Sequence, residues 1–288
     1  MVRPTEIATL RSGTLEYRYE RRGPGTVLIC HGGHLRAEVP VGEDPLAAAG
    51  FSILVPSRPG YGRTPVFAED PYEVAAAVRE LSAELGLDRV AVLGISAGAP
   101  LAVALTARYP ELVSSLVLHS PRSSLPWPDL VTRLSGSVAF HPWTQMFTWT
   151  AMQTSMALLP GHGLRTVMGS MSTLPAERVV ADLTPPERVA VQQLFRSMRS
   201  DQGFRIDLDA TPDPALEHAV GRPCLVVASP TDGAVPFKHA QHLARSIPGA
   251  TLFPSPSLSH LIWFGTGARE TGQHTVDFLS RTAAPSGA

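Results

Sequence analysis

Short apolar runs alternate with amphipathic stretches along residues 1–120 of the chain. Thr26–Cys30 and Phe51–Pro56 are mostly apolar over the length of a buried strand. Pro71–Leu85 has apolar residues at helical spacing, with Asp70 before it as an N-cap and Gly86 after it as a C-cap. Because strands and helices that alternate along a chain usually build one sheet with crossover helices, the pattern predicts an α/β fold with a mostly parallel sheet.

The same alternation predicts further elements at both ends of the chain. Two runs near the N-terminus, Glu6–Arg11 and Leu15–Tyr19, are expected to form a hairpin around Ser12 and Gly13. The later strands and helices are expected, in chain order, at Arg89–Leu93, Ala99–Tyr109, Leu112–Leu118, Cys224–Ala228, Lys238–Ile247, Thr251–Phe253 and Glu270–Arg281.

The character of the chain changes over residues 122–212. No convincing strand is visible there, proline recurs, and the segment holds six of the seven methionines and three of the four tryptophans. This pattern indicates several short helices. We therefore predict one α/β core domain made of residues 1–121 and 213–288, interrupted by a helical insertion at residues 122–212.

A G-x-S-x-G motif, Gly94-Ile95-Ser96-Ala97-Gly98, lies between a predicted strand and a predicted helix. A sharp strand-to-helix turn holds a hydroxyl clear of the backbone at the carboxyl edge of a sheet, and small flanking residues let the chain turn there. The turn also places the hydroxyl at a helix N-terminus, where amide donors favour developing negative charge. Ser96 is therefore the candidate nucleophile.

A serine hydroxyl needs a base and an orienting carboxylate. Among ten histidines, His260 is the preferred base because it follows the last predicted strand, whereas His274 lies in the middle of a helix. Asp232 follows the strand Cys224–Ala228 and is the preferred acid. Asp129, about ten residues after the preceding strand, is the alternative acid.

The chain order Ser96, Asp232, His260, together with the G-x-S-x-G motif, resembles the α/β-hydrolase superfamily. The resemblance extends from Thr26 to the final helix. It implies an α/β-hydrolase fold, a mostly parallel β-sheet flanked by helices, in which residues 122–212 form an inserted helical lid. It also implies that the backbone N–H groups of Gly33, after His31-Gly32, and of Ala97 form an oxyanion hole.

The glycine-rich turn Arg58-Pro59-Gly60-Tyr61-Gly62-Arg63-Thr64 adds to this resemblance. The family often has an aspartate at the start of this turn, where the chain has Ser57-Arg58. A serine nucleophile disfavours the epoxide hydrolases and haloalkane dehalogenases of this fold, which use a carboxylate.

Composition excludes several other classes of protein. The net charge is -1, so nothing predicts a nucleic-acid or anionic-membrane partner. No run approaches the ~20 apolar residues of a membrane span, and the N-terminus lacks the apolar core of about 7–15 residues found in a secretory signal. We therefore expect a cytoplasmic enzyme. The sequence leaves its oligomeric state open.

Neither a metal nor a cofactor is expected. The pairs His31/His34 and His239/His242 have a spacing that could hold a metal, but neither has a third ligand at convincing spacing. Cys30 and Cys224 are isolated in apolar strands and are interpreted as buried thiols. No phosphate-binding or dinucleotide fingerprint is present.

These observations predict a serine hydrolase that cleaves a carboxylic ester or related acyl compound through an acyl-Ser96 intermediate. The partner is a small-molecule acyl substrate, apolar in character. The alternatives are a thioesterase, lactonase, C–C bond hydrolase or perhydrolase with the same triad, or a ligand-binding regulator with slow hydrolysis. Candidate substrate contacts are His34, His119, Trp143, Met146, Phe147 and Trp149.

Overall fold

The computed structural model describes residues 2–128 and 144–282. Two residues weighed from the sequence, Asp129 and Trp143, lie outside these ranges. Eight strands are present in the described ranges, and each predicted strand is confirmed to within about two residues at either end. They are β1 (Glu6–Leu10), β2 (Gly13–Glu20), β3 (Thr26–Cys30), β4 (Ser52–Pro56), β5 (Val90–Ile95), β6 (Val113–His119), β7 (Cys224–Ala228) and β8 (Thr251–Pro254).

The strands form one sheet in the order β1-β2-β4-β3-β5-β6-β7-β8. β1 pairs antiparallel with β2, and β2 with β4, whereas the remaining neighbours pair in parallel. The mostly parallel sheet predicted from the sequence is thus confirmed. Because β5, β7 and β8 run in the same direction, the loops that follow them meet at one edge of the sheet, where ligands of α/β proteins usually bind.

Helices fill the connections of the described chain. They are α1 (Asp44–Ala48), α2 (Pro71–Glu84), α3 (Ala99–Arg108), α4 (Gln145–Leu158), α5 (Pro160–Ser170), α6 (Ala176–Asp182), α7 (Pro185–Ser197), α8 (Gly203–Asp209), α9 (Pro214–His218), α10 (Lys238–Ser246) and α11 (Ala268–Thr282). Short α1 has no clear helical pattern in the sequence and was not predicted. Within residues 2–128 and 144–282, no helix has the length and apolarity needed to cross a membrane.

The central strands bury both faces, as the continuous apolar runs predicted. In β3, Leu28 and Cys30 belong to the apolar cluster on one face of the sheet, and Val27 and Ile29 to the cluster on the other. This alternation follows from the two-residue period of a strand.

Helices α4 to α8 lie between β6 and β7 in the chain, and no strand occurs in the part of residues 122–212 that the structure describes. These helices have an apolar cluster of their own, which includes Met168, Leu194 and Phe195 and extends to Leu261 beside His260. The segment therefore packs above the edge of the sheet where the candidate residues lie. Its role as a lid stays a prediction.

Candidate active site

Ser96 occupies the turn between β5 and α3. Its φ is +50°, in the left-handed region that non-glycine residues seldom adopt, and the side chain is 9% exposed. Such a conformation persists only where the surrounding structure enforces it, and it commonly marks a functional residue. The turn directs the serine away from the strand, as the G-x-S-x-G motif predicted.

The two glycines of this motif are required by close packing. A Cβ on Gly94 would lie 2.6 Å from the Cβ of Ala102 in α3. A Cβ on Gly98 would overlap the carbonyl oxygens of Cys30 and His31. Side chains at either position would push α3 away from the sheet or distort the loop after β3.

The structure brings Ser96, His260 and Asp232 into one hydrogen-bonded chain. His260 Nδ1 lies 2.7 Å from Asp232 Oδ2, and His260 Nε2 lies 3.1 Å from Ser96 Oγ. Since an ionised carboxylate only accepts, Nδ1 carries the proton and donates it to Asp232. Nε2 is then the acceptor for the Ser96 hydroxyl, which is the tautomer that a general base requires.

The Asp232 carboxylate is held by the loop after β7. Its Oδ1 accepts from the backbone N–H groups of Ala234 at 2.9 Å and Val235 at 2.8 Å, which leaves Oδ2 for His260. The residue is 2% exposed. A carboxylate with both oxygens fixed in this way presents one defined geometry to the imidazole.

The carbonyl oxygen of Met171, between α5 and α6, joins the two loops that carry Asp232 and His260. It accepts from His260 N at 2.7 Å and from Gly233 N at 3.2 Å. From the other side, Ser120 Oγ donates to the carbonyl oxygen of His260 at 2.8 Å. No motif in the sequence indicates Met171, because its contribution is a backbone carbonyl brought there by packing.

His31 orients the peptide unit between Gly32 and Gly33. Its Nε2 accepts from Arg58 N at 2.9 Å, so the proton is on Nδ1, which lies 2.8 Å from the carbonyl oxygen of Gly32. Burial and the nearby positive charge of Arg58 hold the pKa of His31 well below its usual value, so the ring stays neutral. Because Gly32 C=O and Gly33 N–H belong to the same peptide, fixing the carbonyl also fixes the direction of that N–H.

Arg58, a departure from the family pattern, forms a buried ion pair. Its Nη1 lies 2.5 Å from Asp207 Oδ1 and its Nη2 lies 2.9 Å from Asp207 Oδ2, while Tyr61 Oη donates to the same carboxylate at 2.5 Å. Burial by itself would lower the pKa of Arg58, but the Asp207 carboxylate more than offsets this and raises it. Asp207 belongs to α8, so the pair links the loop after β4 to the helical segment.

A cavity of about 870 Å³ lies above Ser96 and includes His260, Gly33 and Ala97 in its lining. Its walls are mostly apolar. Residues that form them include Leu35, Met152, Val167, Leu194, Phe204 and Trp263. A largely apolar cleft with a few convergent polar groups is the usual form of a small-molecule site.

The structure separates the predicted substrate contacts into two groups. His34 and Trp149 line the cavity. Met146 and Phe147 do not, and they are 65% and 69% exposed; Phe147 lies on the face of α4 opposite to the buried Trp149, and Met146 is in the first turn of the helix. The expectation that Met146 and Phe147 contact substrate is therefore not met in this structure.

His119 is buried beneath the cavity rather than in its lining. Its Nδ1 accepts from Trp263 Nε1 at 3.0 Å, and its Nε2 lies 2.9 Å from Thr275 Oγ1, which donates to the carbonyl oxygen of Thr271. Burial lowers the pKa of His119 to about 3. His119 thus holds Trp263, which does line the cavity, instead of being a cavity residue itself.

His34 lies in the loop after β3, three residues beyond His31, and is also neutral. Its ring packs on Phe204 with centroids 3.8 Å apart, and its Nδ1 lies 2.9 Å from Ser200 Oγ, which also accepts from Trp149 Nε1. Burial and the positive charge of Arg58 lower the pKa of His34 to about 3.

Across the described ranges, no group of three or more His, Cys, Asp or Glu side chains is arranged to hold a metal ion.

Comparison with known proteins agrees with this fold. Residues 25–167 match the family described as alpha/beta hydrolase fold. A relative from Bacillus subtilis (strain 168), "Uncharacterized hydrolase YcgS", is 35% identical over 286 residues, which cover 97% of this chain and 99% of the relative. The chain belongs to the α/β-hydrolase family.

Solved structures show the same fold at lower sequence identity. An alpha/beta hydrolase fold protein from Nakamurella multipartita superposes with a TM-score of 0.79 at 22% identity, covering 96% of this chain and 99% of that one. The enol-lactonase from Burkholderia xenovorans LB400 superposes with a TM-score of 0.70 at 20% identity, covering 96% and 100%. At these identities the likeness supports the fold alone.

Proposed function

We propose that this chain is a serine hydrolase that cleaves a carboxylic ester or a related acyl compound through an acyl-Ser96 intermediate. The observation that carries the proposal is the hydrogen-bonded chain from Ser96 Oγ through His260 to Asp232, at one side of a mostly apolar cavity. Membership of the α/β-hydrolase family supports a hydrolytic activity. The expected substrate is a small apolar molecule, and the expected location is the cytoplasm.

In the first half of the reaction, His260 Nε2 takes the hydroxyl proton as Ser96 Oγ forms a bond to the substrate carbonyl carbon. The carbonyl oxygen becomes an oxyanion, and the N–H groups of Gly33 and Ala97 are proposed to stabilise it by about 3 kcal/mol each. His260 then protonates the leaving oxygen as its bond to the carbonyl carbon breaks. Asp232 stabilises the imidazolium between these steps.

In the second half, water replaces the leaving group. His260 takes a proton from the water as its oxygen bonds to the acyl carbon, and returns a proton to Ser96 Oγ as the ester bond to the enzyme breaks. The products are a carboxylic acid and an alcohol, and each proton that His260 accepts is released again in the same half-reaction. The mechanism uses no metal or cofactor.

Covalent labelling followed by turnover tests this proposal. A fluorophosphonate should add one phosphonyl group to Ser96, detected by peptide mass spectrometry, and the protein should hydrolyse 4-nitrophenyl pentanoate. Ser96→Ala should abolish labelling and lower kcat by several orders of magnitude, while Ser197→Ala, at the end of α7 and outside the lining of the cavity above Ser96, serves as the matched control. Retention of more than about a tenth of the activity in Ser96→Ala would show that another nucleophile acts. Labelling without turnover of any acyl compound would favour the ligand-binding regulator.

A further inference from the structure

A second cavity, of about 410 Å³, lies beside the active-site cavity. Residues that line it include Val39, Gly42, Ala190, Gln193, Phe264 and Ala268. Three described residues, Val41, Leu194 and Trp263, line both cavities, whereas Ser96 and His260 line only the larger one. The three shared side chains therefore stand between the catalytic residues and the second cavity, and we refer to them as the partition.

The partition is built from three separate parts of the chain. Val41 belongs to the loop between β3 and α1, Leu194 to α7, and Trp263 to the loop that follows His260. Val41 and Leu194 are buried in the apolar cluster of the helical segment. Trp263 packs against that cluster and also against the cluster on one face of the sheet. As the largest of the three side chains, its indole ring covers most of the partition.

The indole ring of Trp263 is fixed by a hydrogen bond and by close packing. Its Nε1 donates to Nδ1 of the buried His119 at 3.0 Å. The ring also lies against the backbone of Gly42, because a Cβ at that position, where φ is +68°, would overlap the indole. Displacing the ring would break the hydrogen bond and leave the buried His119 Nδ1 without its donor, which is costly.

We propose that Trp263 is a specificity-determining residue that limits the length of an apolar substrate chain. The inference rests on the proposed function and adds to it a maximum chain length. A chain that extends from Ser96 along the apolar wall ends at the fixed indole, and the second cavity stays unused. Each methylene buried before this point strengthens transition-state binding roughly fourfold, whereas methylenes beyond it add nothing.

Two series of esters test the limit and identify the side of the scissile bond on which it acts. Straight-chain 4-nitrophenyl esters, from acetate to dodecanoate, vary the acyl chain. Butanoate esters of straight-chain alcohols, from ethanol to decanol, vary the leaving group. In one series, kcat/KM of the wild type should rise with chain length and then level off or fall. In Trp263→Ala the rise should continue past that length, at up to roughly fourfold for each methylene.

Variants on the far side of the partition separate joined cavities from a general loosening of the loop. Phe264 lines only the second cavity, so Phe264→Ala enlarges that cavity, keeps the partition and should leave the length limit unchanged. Ala190, on α7, also lines only the second cavity. Ala190→Trp should have no effect on the limit by itself, and it should restore the wild-type limit when combined with Trp263→Ala.

A second opening of the partition guards against damage to the catalytic loop. Trp263 is three residues after His260, so Trp263→Ala could displace the base or fail to fold. Leu194→Ala opens the partition from α7 without changing that loop. It should extend the limit as well, and Ala190→Trp should reverse the extension. If Leu194→Ala and every active Trp263→Ala preparation keep the wild-type limit, the proposal is overturned.

Failure of the partition and failure of the proposed function give different results. If esters are cleaved with the same length limit in all variants, Trp263 does not set chain length and the hydrolase assignment stands. If no ester is cleaved, calorimetric titration with straight-chain alcohols from butanol to decanol decides the role of the partition. An affinity that stops rising at a shorter chain in the wild type than in Leu194→Ala supports it. Identical profiles, or binding of none of the alcohols, overturn it.

Discussion

Arg58 and Asp207 form a two-bond ion pair although they are 149 residues apart in the chain. Both side chains are buried, with relative exposures of 9% and 5%. The Arg58 side chain also donates from Nε to the carbonyl oxygen of His31, and its backbone N–H donates to the ring of His31. The pair therefore connects α8 to the loop that orients the Gly33 amide.

Removing one partner of this pair should be costly. Asp207→Asn or Arg58→Met leaves an uncompensated buried charge, and we expect each to lower the free energy of unfolding by about 3–5 kcal/mol. The double variant Arg58→Met/Asp207→Leu should be less destabilised than the sum of the single variants, because no lone charge remains buried. Urea unfolding monitored by circular dichroism measures these differences.

The neighbouring pair Arg205–Asp209 provides the control for this experiment. Its atoms are 3.8 Å apart and its side chains are 65% and 59% exposed. Removing either charge there should change the free energy of unfolding by less than about 1 kcal/mol. Equal effects at the two pairs would contradict a specific role for Arg58 and Asp207.

Asp232→Asn should impair catalysis without unfolding the protein. The amide can donate to Nδ1 of His260, which favours the tautomer with its proton on Nε2, and that tautomer cannot accept from Ser96. We expect kcat to fall by about 10⁴. The measurement is steady-state hydrolysis of 4-nitrophenyl pentanoate. A mild effect here together with a severe effect of Asp129→Asn would transfer the role of the acid to Asp129.

Met152 and Met146 are both on α4, but only Met152 lines the cavity. If apolar acyl chains bind against this wall, kcat/KM should rise from acetate to hexanoate esters, because each buried methylene contributes about 0.8 kcal/mol. Met152→Ala should reduce the hexanoate-to-acetate ratio roughly fivefold. Met146→Ala should not change it. A wild-type preference for acetate would show that the apolar wall serves packing rather than binding.

Stability should fall as the pH is lowered from 7 to 5. His31, His34, His119 and His239 are buried, and burial lowers the pKa of each below the ordinary value of 6.5, to about 3 for His34 and His119 and about 4 for His239. Below pH 6.5 the unfolded chain takes up protons that the folded chain does not. The contribution of these histidines to the free energy of unfolding is therefore fully present above pH 6.5. Below pH 6.5 the free energy of unfolding decreases by about 1.4 kcal/mol per pH unit for each proton that only the unfolded chain binds.

A pair of histidine variants checks the origin of this pH dependence. His119→Asn removes one of the buried titrating groups, so the slope of unfolding free energy between pH 7 and 5 should decrease by about one proton. His274→Asn changes an exposed histidine on α11 and should leave the slope as it is. Glu16 and Glu20, whose pKa values are lowered, act mainly below pH 4.5 and do not contribute to this window. An unchanged slope in His119→Asn would contradict its neutral state.

The sequence predicted most of the fold because the sheet has strong local signals. The strands β3, β5 and β7 are almost entirely apolar, β6 has a run of apolar residues at Leu116–Leu118, and the connections begin or end with an N-cap, a glycine or a proline. Ser96, Asp232 and His260 could be selected as candidates because they lie in the turns or loops that follow β5, β7 and β8. The position of a residue just after a strand can be read from the sequence. In a parallel sheet the loops after neighbouring strands lie at the same edge, so residues in these loops lie close together.

What the sequence could not supply depends on packing between distant segments. The partner of Arg58 is in α8, and the face of α4 that turns inward is set by its neighbours rather than by its weakly polarised pattern. This is why the sequence does not distinguish Met152, which lines the cavity, from Met146 and Phe147, which do not.

The chain leaves the sheet at His119 in β6 and re-enters it at Cys224 in the adjacent strand β7. A segment that starts and ends on neighbouring strands places no demand on the register of the sheet, so its length and content can change while the loops that carry Ser96, Asp232 and His260 stay in place. One contact limits such changes: the carbonyl oxygen of Met171, inside this segment, accepts a hydrogen bond from the backbone N–H of His260. New specificities could therefore arise by exchanging the whole segment, provided that this contact is rebuilt.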